Sequence, residues 1–190
     1  SAAIRRNEII CVWGDFDVDG QTSTTVLVQT FRALGARVVY YIPIRGKESH
    51  GVHIESLKPI LNNGAKLIVT CDTGITAHEA IDYANSRDVN VVVTDHHDLG
   101  ETLPNAKAIV NPKLLSENHP LKNLAGVGVA YKLAEALLRS DDFSHLTSAT
   151  EVAATLLDLV ALGLIADVAL LKGETRSLAQ KGIQTLRNTK

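Results

Sequence analysis

Apolar residues fall in short dense runs over roughly the first 110 positions and in longer periodic stretches after them. The runs at 8–13, 37–42, 66–71, 89–94 and 108–110 are rich in Val and Ile. They are too short for helices and mostly apolar on both faces, the pattern of strands in a parallel sheet covered on both sides. Between them, 22–34, 54–61 and 77–86 have helical character, with Gly35 and Gly64 placed as stop signals. This alternation predicts βαβ units, hence an α/β fold: an open, mainly parallel five-stranded sheet with flanking helices and right-handed crossovers. After Pro112 the strands give out, and 128–139, 149–163 and 175–186 are helical in pattern. The expected organisation is an α/β core over 1–112 and a mainly helical continuation over 113–190. No internal repeat or low-complexity tract is visible. The chain stops on a charged helical segment without a closing signal, so a piece of a longer protein is expected.

With 190 residues, 45% of them hydrophobic, the chain can build one well-buried core. No run approaches the roughly 18 apolar residues of a membrane span, and no basic segment followed by an apolar run opens the chain. A soluble, cytoplasmic protein without a membrane partner is expected. Cys11 and Cys71 are the only cysteines, and neither belongs to a CxxC pair. Both lie in strand-like runs, so reduced buried thiols are expected rather than a disulfide framework or a structural zinc site. The net charge of −2 argues against gripping nucleic acid by bulk electrostatics. A nucleic-acid substrate would depend on bound metals, a local groove or segments beyond these residues.

Ligands bind at the carboxyl ends of strands in such sheets, so the residues following each strand carry the functional information. The first strand runs into Gly14-Asp15-Phe16-Asp17-Val18-Asp19-Gly20, with carboxylates on alternate residues. Read as an extended segment, this crowds three negative charges together. It is either a solvated acidic turn or a set of hard oxygen ligands for Mg²⁺, Mn²⁺ or Ca²⁺. An EF-hand loop opens the same way, but position twelve here is Val26 instead of Glu, and a strand precedes the loop. The third strand ends at Asp72-Thr73-Gly74 and the fourth at Asp95-His96-His97-Asp98. Taken singly, these are a helix N-cap and surface histidines. Converging on one sheet edge, they form an oxygen and nitrogen set for two metals.

Asp167 closes an apolar helix end, where an unpaired carboxylate is costly; a metal, a hydrogen-bond partner or an exposed cap would account for it. Gly126-Val127-Gly128 lacks the third glycine of a dinucleotide-binding loop, because Tyr131 stands there. A tight start to a helix is expected, with Gly126 and Gly128 presenting amides near a phosphate. Arg45 and His50, with Lys47 and His53, lie in a polar loop after the second strand, which is either a phosphate contact or merely solvated. His78, His119 and His145 show no partner spacing and are expected to be structural or surface residues.

In order along the chain stand Gly14-Asp15-Phe16-Asp17-Val18-Asp19-Gly20-Gln21-Thr22-Ser23, Asp72-Thr73-Gly74, Asp95-His96-His97, Gly126-Val127-Gly128-Val129-Ala130 and Leu162-Gly163-Leu164-Ile165-Ala166-Asp167. Together they resemble the signature of the DHH phosphoesterases of the RecJ single-strand exonuclease type. The resemblance covers nearly the whole chain. It implies that Asp17 and Asp72 hold one divalent ion and that Asp19, Asp72, His96 and Asp167 hold the other. Mn²⁺ is favoured over Mg²⁺ as the cofactor. His97 would contact the scissile phosphate and Asp95 would orient a histidine.

Many members carry a metal-binding His four residues before the second Asp of the first motif. This chain has Trp13 there, which leaves Asp15 to supply the ligand. The family's C-terminal DHHA1 domain, with its glycine-rich substrate motif, is not among these residues. The implied activity is 5′ to 3′ hydrolysis of single-stranded DNA to 5′-mononucleotides, in DNA repair or recombination. Related enzymes acting on short RNAs, nucleotides or pyrophosphate would share the metals. A non-catalytic scaffold of the Cdc45 kind would keep the fold and lose them.

Overall fold

The computed structural model describes residues 1–143 and 149–189. Its elements in chain order are α1 (Ala2–Arg5), β1 (Ile9–Trp13), α2 (Val18–Ala33), β2 (Arg37–Tyr41), α3 (Ile54–Asn62), β3 (Ala65–Cys71), α4 (His78–Ser86), β4 (Asn90–Thr94), β5 (Ala108–Val110), α5 (Gly126–Leu138), α6 (Ala149–Thr155), α7 (Leu157–Ala166) and α8 (Gly173–Leu186). The five strands form one sheet in the order β2-β1-β3-β4-β5, and every pairing is parallel.

Side chains alternate across a strand, and β1 divides accordingly between two layers. Ile10 and Val12 face a core shared with Val26, Leu27 and Phe31 of α2, Val127 and Ala130 of α5, and Leu164 of α7. Cys11 and Trp13 face the opposite core, with Leu57 of α3 and Ala80, Ile81 and Ala84 of α4. Val12, Trp13, Val26 and Leu27 are fully buried; removing such side chains from water stabilises the fold by roughly 1.5–3 kcal/mol each. The helices after Pro112 thus complete the core of the sheet. Both thiols are buried and unpaired, as expected.

Three differences from the sequence reading have physical causes. β2 is an edge strand with Val39 and Tyr40 exposed, so only part of it is covered. The 149–163 stretch is two helices, α6 and α7, separated at fully buried Leu156. Apolar periodicity continues through that break, so spacing does not register it. Finally, α2 begins four residues earlier than expected, because Asp17 caps it by accepting the Gly20 N–H at 2.9 Å. Asp19 therefore lies in the first helical turn rather than on an extended segment. Among the described residues no helix is long and apolar enough to cross a membrane.

Candidate metal centre

The sheet order changes direction between β1 and β3, and the crevice at their carboxyl ends is where such folds bind ligands. β1 delivers the Asp15–Asp19 segment there, β3 delivers Asp72, and β4 delivers Asp95 to His97. Asp72 adopts a left-handed backbone (φ 60°), a conformation aspartate tolerates better than most residues. Gly74 follows at φ 110°, where any Cβ would also meet the Thr70 side chain.

His96 is the hub. Its Nε2 lies 3.0 Å from Asp72 Oδ1 and 3.6 Å from Asp19 Oδ2, and its Nδ1 lies 3.9 Å from Asp167 Oδ2. Two sets converge closely enough to hold a cation, Asp72 with His96 and His97, and Asp19 with His96 and Asp167. Asp17 borders the same opening, along with Asp19, Arg45 and Asp167. Asp167 caps the exposed end of α7 beside exposed Ile165 and Val168. The apolar run around it is therefore a solvent-facing rim, and burial does not explain its charge.

Asp19 is held from a distance of over a hundred residues: the Gly126 and Val127 amides at the start of α5 donate to its two oxygens at 2.6 and 2.8 Å. This is the anion site of a helix N-terminus, filled by a side chain of the protein. The Gly126 amide expected near a substrate phosphate is thus engaged by Asp19. Gly128 packs on Leu124, with no room for a Cβ.

Burial and the charges of Asp19 and Asp17 push the Asp72 carboxyl up to about 10. Burial also raises Asp19, with Asp167 adding repulsion and the two amides and His96 opposing it. Asp72 Oδ1, though near His96, has no hydrogen bond. Crowded carboxylates with an orphaned buried oxygen and a neighbouring imidazole fit hard divalent cations, whose charge would remove the repulsion.

Two glycines make the approach possible. A Cβ on Gly126 would stand 2.7 Å from Asp72 Oδ1, and one on Gly163 would stand 2.5 Å from Thr22 Oγ1 and 2.9 Å from Asp19 Oδ1. Gly163→Ala is expected to destabilise the fold by about 1–3 kcal/mol and to weaken metal binding. Urea unfolding with and without Mg²⁺ measures both.

Asp95 serves a different purpose. Burial raises its carboxyl, but bonds from the His97 ring and from the Ile75 and His97 amides outweigh that and hold it low. In return Asp95 fixes His97 Nδ1 at 2.7 Å and pushes the imidazolium up to about 9. The raised His97 contributes stability that is complete below about pH 6.5 and lost as pH rises through about 9. The depressed Asp95 contributes stability present above about pH 4 and lost on acidification through its lowered value. Their pair is accordingly intact across the neutral range. Asp95→Asn should return the His97 titration, followed by NMR, toward about 6.5.

Asp15 does not join the cluster. Its oxygens accept from the Phe16 amide and meet His50 Nδ1, each at 2.6 Å. Trp13 is an anchor: its Nε1 donates to Gly51 O at 3.2 Å and its ring packs on Tyr41. Glu48, missed in the sequence, gathers Tyr41, Ser56 and the Ile44 amide, which fixes the same loop. Phe16, also missed, lies between Arg45 (4.4 Å) and His50 (4.1 Å). Of the histidines set aside, His119 accepts the Leu121 amide, and His145 lies outside the described residues.

The profile of the DHH family, N-terminal domain, matches residues 9–164. The chain belongs to the DHH family. This DHH domain is 43% identical over 187 residues to the single-stranded-DNA-specific exonuclease RecJ of Bacillus subtilis (strain 168), covering 98% of the chain and 22% of that protein. To the single-stranded-DNA-specific exonuclease RecJ of Escherichia coli (strain K12) it is 44% identical over 190 residues, covering 97% of the chain and 33% of the relative. The chain thus spans about a fifth to a third of these relatives' length. Its fold matches a crystal structure of exonuclease RecJ bound to manganese with TM-score 0.82 and 36% identity, over 96% of this chain and 45% of that one.

Proposed function

We propose that this DHH domain hydrolyses phosphodiesters in single-stranded DNA as the catalytic part of a RecJ-type exonuclease, using two divalent ions, Mn²⁺ ahead of Mg²⁺. The observation that carries this reading is the convergence of Asp19, Asp72 and Asp167, from three separate segments, on His96, beside a buried Asp72 oxygen without a hydrogen bond. In support stand the likeness to RecJ over almost the entire chain and a manganese-bound structure of the same fold.

Asp17 and Asp72 would hold one ion, and Asp19, Asp72, His96 and Asp167 the other, with Asp72 shared. Such ions supply an activated water and Lewis acidity toward the phosphoryl oxygens. The α5 amides keep Asp19 aimed inward, and the positive His97 offers a hydrogen bond to a phosphate oxygen. The polarity, 5′ to 3′ with release of 5′-mononucleotides, rests on the sequence resemblance. Residues 113–190 belong to the same catalytic unit, since α5 and α7 supply the amides and Asp167.

The test is release of mononucleotides from labelled single-stranded oligonucleotides with Mn²⁺, Mg²⁺ or chelator, beside dinucleotide and pyrophosphate substrates. Cation-dependent digestion of the oligonucleotide from its 5′ end is expected. Cleavage of only the dinucleotide or pyrophosphate would reassign the substrate. Metal binding without hydrolysis of any of them would make the domain a scaffold.

A further inference from the structure

Where the outer side of α2 meets the edge strand β2, a groove of about 310 Å³ is lined by Gln21, Thr25, Gln29 and Arg32 of the helix and by Tyr40 of the strand. The helical residues recur at spacings of three and four, which places them on one side of α2, and Gln21, Gln29 and Arg32 are exposed. Side chains alternate across β2. Val38 packs into the α2 core and Tyr41 into the opposite one, so Tyr40 stands on the α2 side. Its ring is 59% exposed.

This groove adjoins the opening of the metal centre. Gln21 lines both, and its Nε2 is pinned by donating to Phe16 O at 2.7 Å. From Gln21 to Arg32 the helix rises roughly 16 Å. At about 3.4 Å per stacked nucleotide, a dinucleotide covers under half of that span.

An exposed tyrosine or a surface arginine is ordinary by itself. Here their groups are unused and converge. Among the described residues the Arg32 guanidinium has no ion-pair partner, and neither the Gln29 amide nor the Tyr40 hydroxyl has a hydrogen bond. No carboxylate lines the groove, although the chain carries 21 acidic residues and a net charge of −2. A flat aromatic face, a free guanidinium and a free amide in one channel match a nucleobase, a phosphate and a base edge in turn.

We infer that this groove carries the single strand away from the metal centre, with Tyr40 as the platform on which a nucleobase stacks and Arg32 as the contact to a neighbouring phosphate. The strand's identity as the substrate rests on the nuclease reading, whereas its binding in the groove needs no metal. Tyr40 and Arg32 are binding residues and take no part in the hydrolytic step.

The experiment measures binding of a fluorescein-labelled twelve-residue oligothymidylate in chelator, by anisotropy at several salt concentrations, and hydrolysis of the same oligonucleotide and of a thymidine dinucleotide with Mn²⁺. Tyr40→Ala is expected to raise Kd for the oligonucleotide about tenfold, the loss of one base–aromatic stack. KM for the oligonucleotide should rise by a like factor with kcat changing less than about threefold, and KM for the dinucleotide should stay within about twofold. Tyr40→Phe, which keeps the stacking face, should bind as wild type does. Arg32→Gln should raise Kd and reduce the slope of log Kd against log salt by about 0.7, the worth of one phosphate contact on a single strand. In the wild-type protein, 5-iododeoxyuridine placed several nucleotides from the 5′ end should photocrosslink to Tyr40.

The inference is overturned if Tyr40→Ala binds the oligonucleotide as tightly as wild type, or if it impairs the dinucleotide equally, since Tyr40 would then act through the metal centre. Crosslinks that fall only on other residues overturn it as well, without reliance on any variant's folding. Oligonucleotide binding through Tyr40 in a protein that cleaves no DNA would support the groove and sink the nuclease reading alone.

Discussion

Asp72→Asn is expected to lower hydrolysis of single-stranded DNA by about 10³-fold or more while leaving the metal-free protein as stable as wild type or more so. The first half follows from position. Asp72 is the ligand proposed to be shared, and its Oδ1 is the buried oxygen that no protein donor satisfies. An amide oxygen at that point offers neither the charge nor the bridging capacity that two cations require. The second half follows from electrostatics. Asp72 is buried against Asp19 and Asp17, and its carboxyl is pushed up to about 10, so near neutral pH the metal-free fold must keep it protonated at a cost that a neutral amide does not incur. A residue needed only for architecture would behave in the opposite way, with stability and activity falling together. Steady-state assays and thermal melts in chelator read the two halves separately. Activity within tenfold of wild type would refute the assignment of Asp72.

The second large effect is the dependence of stability on pH and metal. A carboxyl whose folded pKa lies far above its unfolded value of about 4 favours the unfolded chain once pH exceeds that value, because the unfolded state ionises freely. For metal-free protein the Asp72 carboxyl, near 10, makes stability fall steadily from about pH 4 upward through the neutral range. Raised Asp19 works in the same direction. Divalent cations reverse the sign, since the carboxylates must be ionised to bind them, so the stabilisation by metal grows with pH. At a hundred times its Kd, each bound ion adds about 2.7 kcal/mol, or about 5–10 °C in Tm for a domain of this size. Melts at pH 6 and pH 8, with chelator and with Mg²⁺, should show the gap widening at pH 8. A gap of equal size at both would mean that these carboxylates are not the ligands.

The acids of the candidate metal centre were visible in the chain before their arrangement was. Short strand-like runs, of which the first, third and fourth lead into Asp or His, place Asp17, Asp19, Asp72, His96 and His97 at one sheet edge by topology alone. The Asp-x-Asp-x-Asp spacing misleads only in detail. Read as extended, it puts the three carboxylates together, whereas the Asp17 cap turns the segment into helix and sends them three ways. Asp17 caps α2 and borders the opening, Asp19 meets the α5 amides, and Asp15 meets His50. Trp13 had a legible clue, because a buried indole N–H needs a partner, but nothing local names Gly51 as that partner.

What the sequence determined by itself is therefore everything governed by neighbours along the chain. Strand and helix alternation, a parallel sheet, buried thiols and a row of acids after strands follow from periodicity, turn residues and burial of apolar runs. The tertiary structure alone decided which polar atoms meet: Gly126 and Val127 on Asp19, Gly163 yielding space beside it, His50 on Asp15, and His96 among three carboxylates. The reason is physical. Backbone preference acts over a few residues, whereas the direction and distance of a side chain at a sheet edge depend on how segments a hundred residues apart pack against each other.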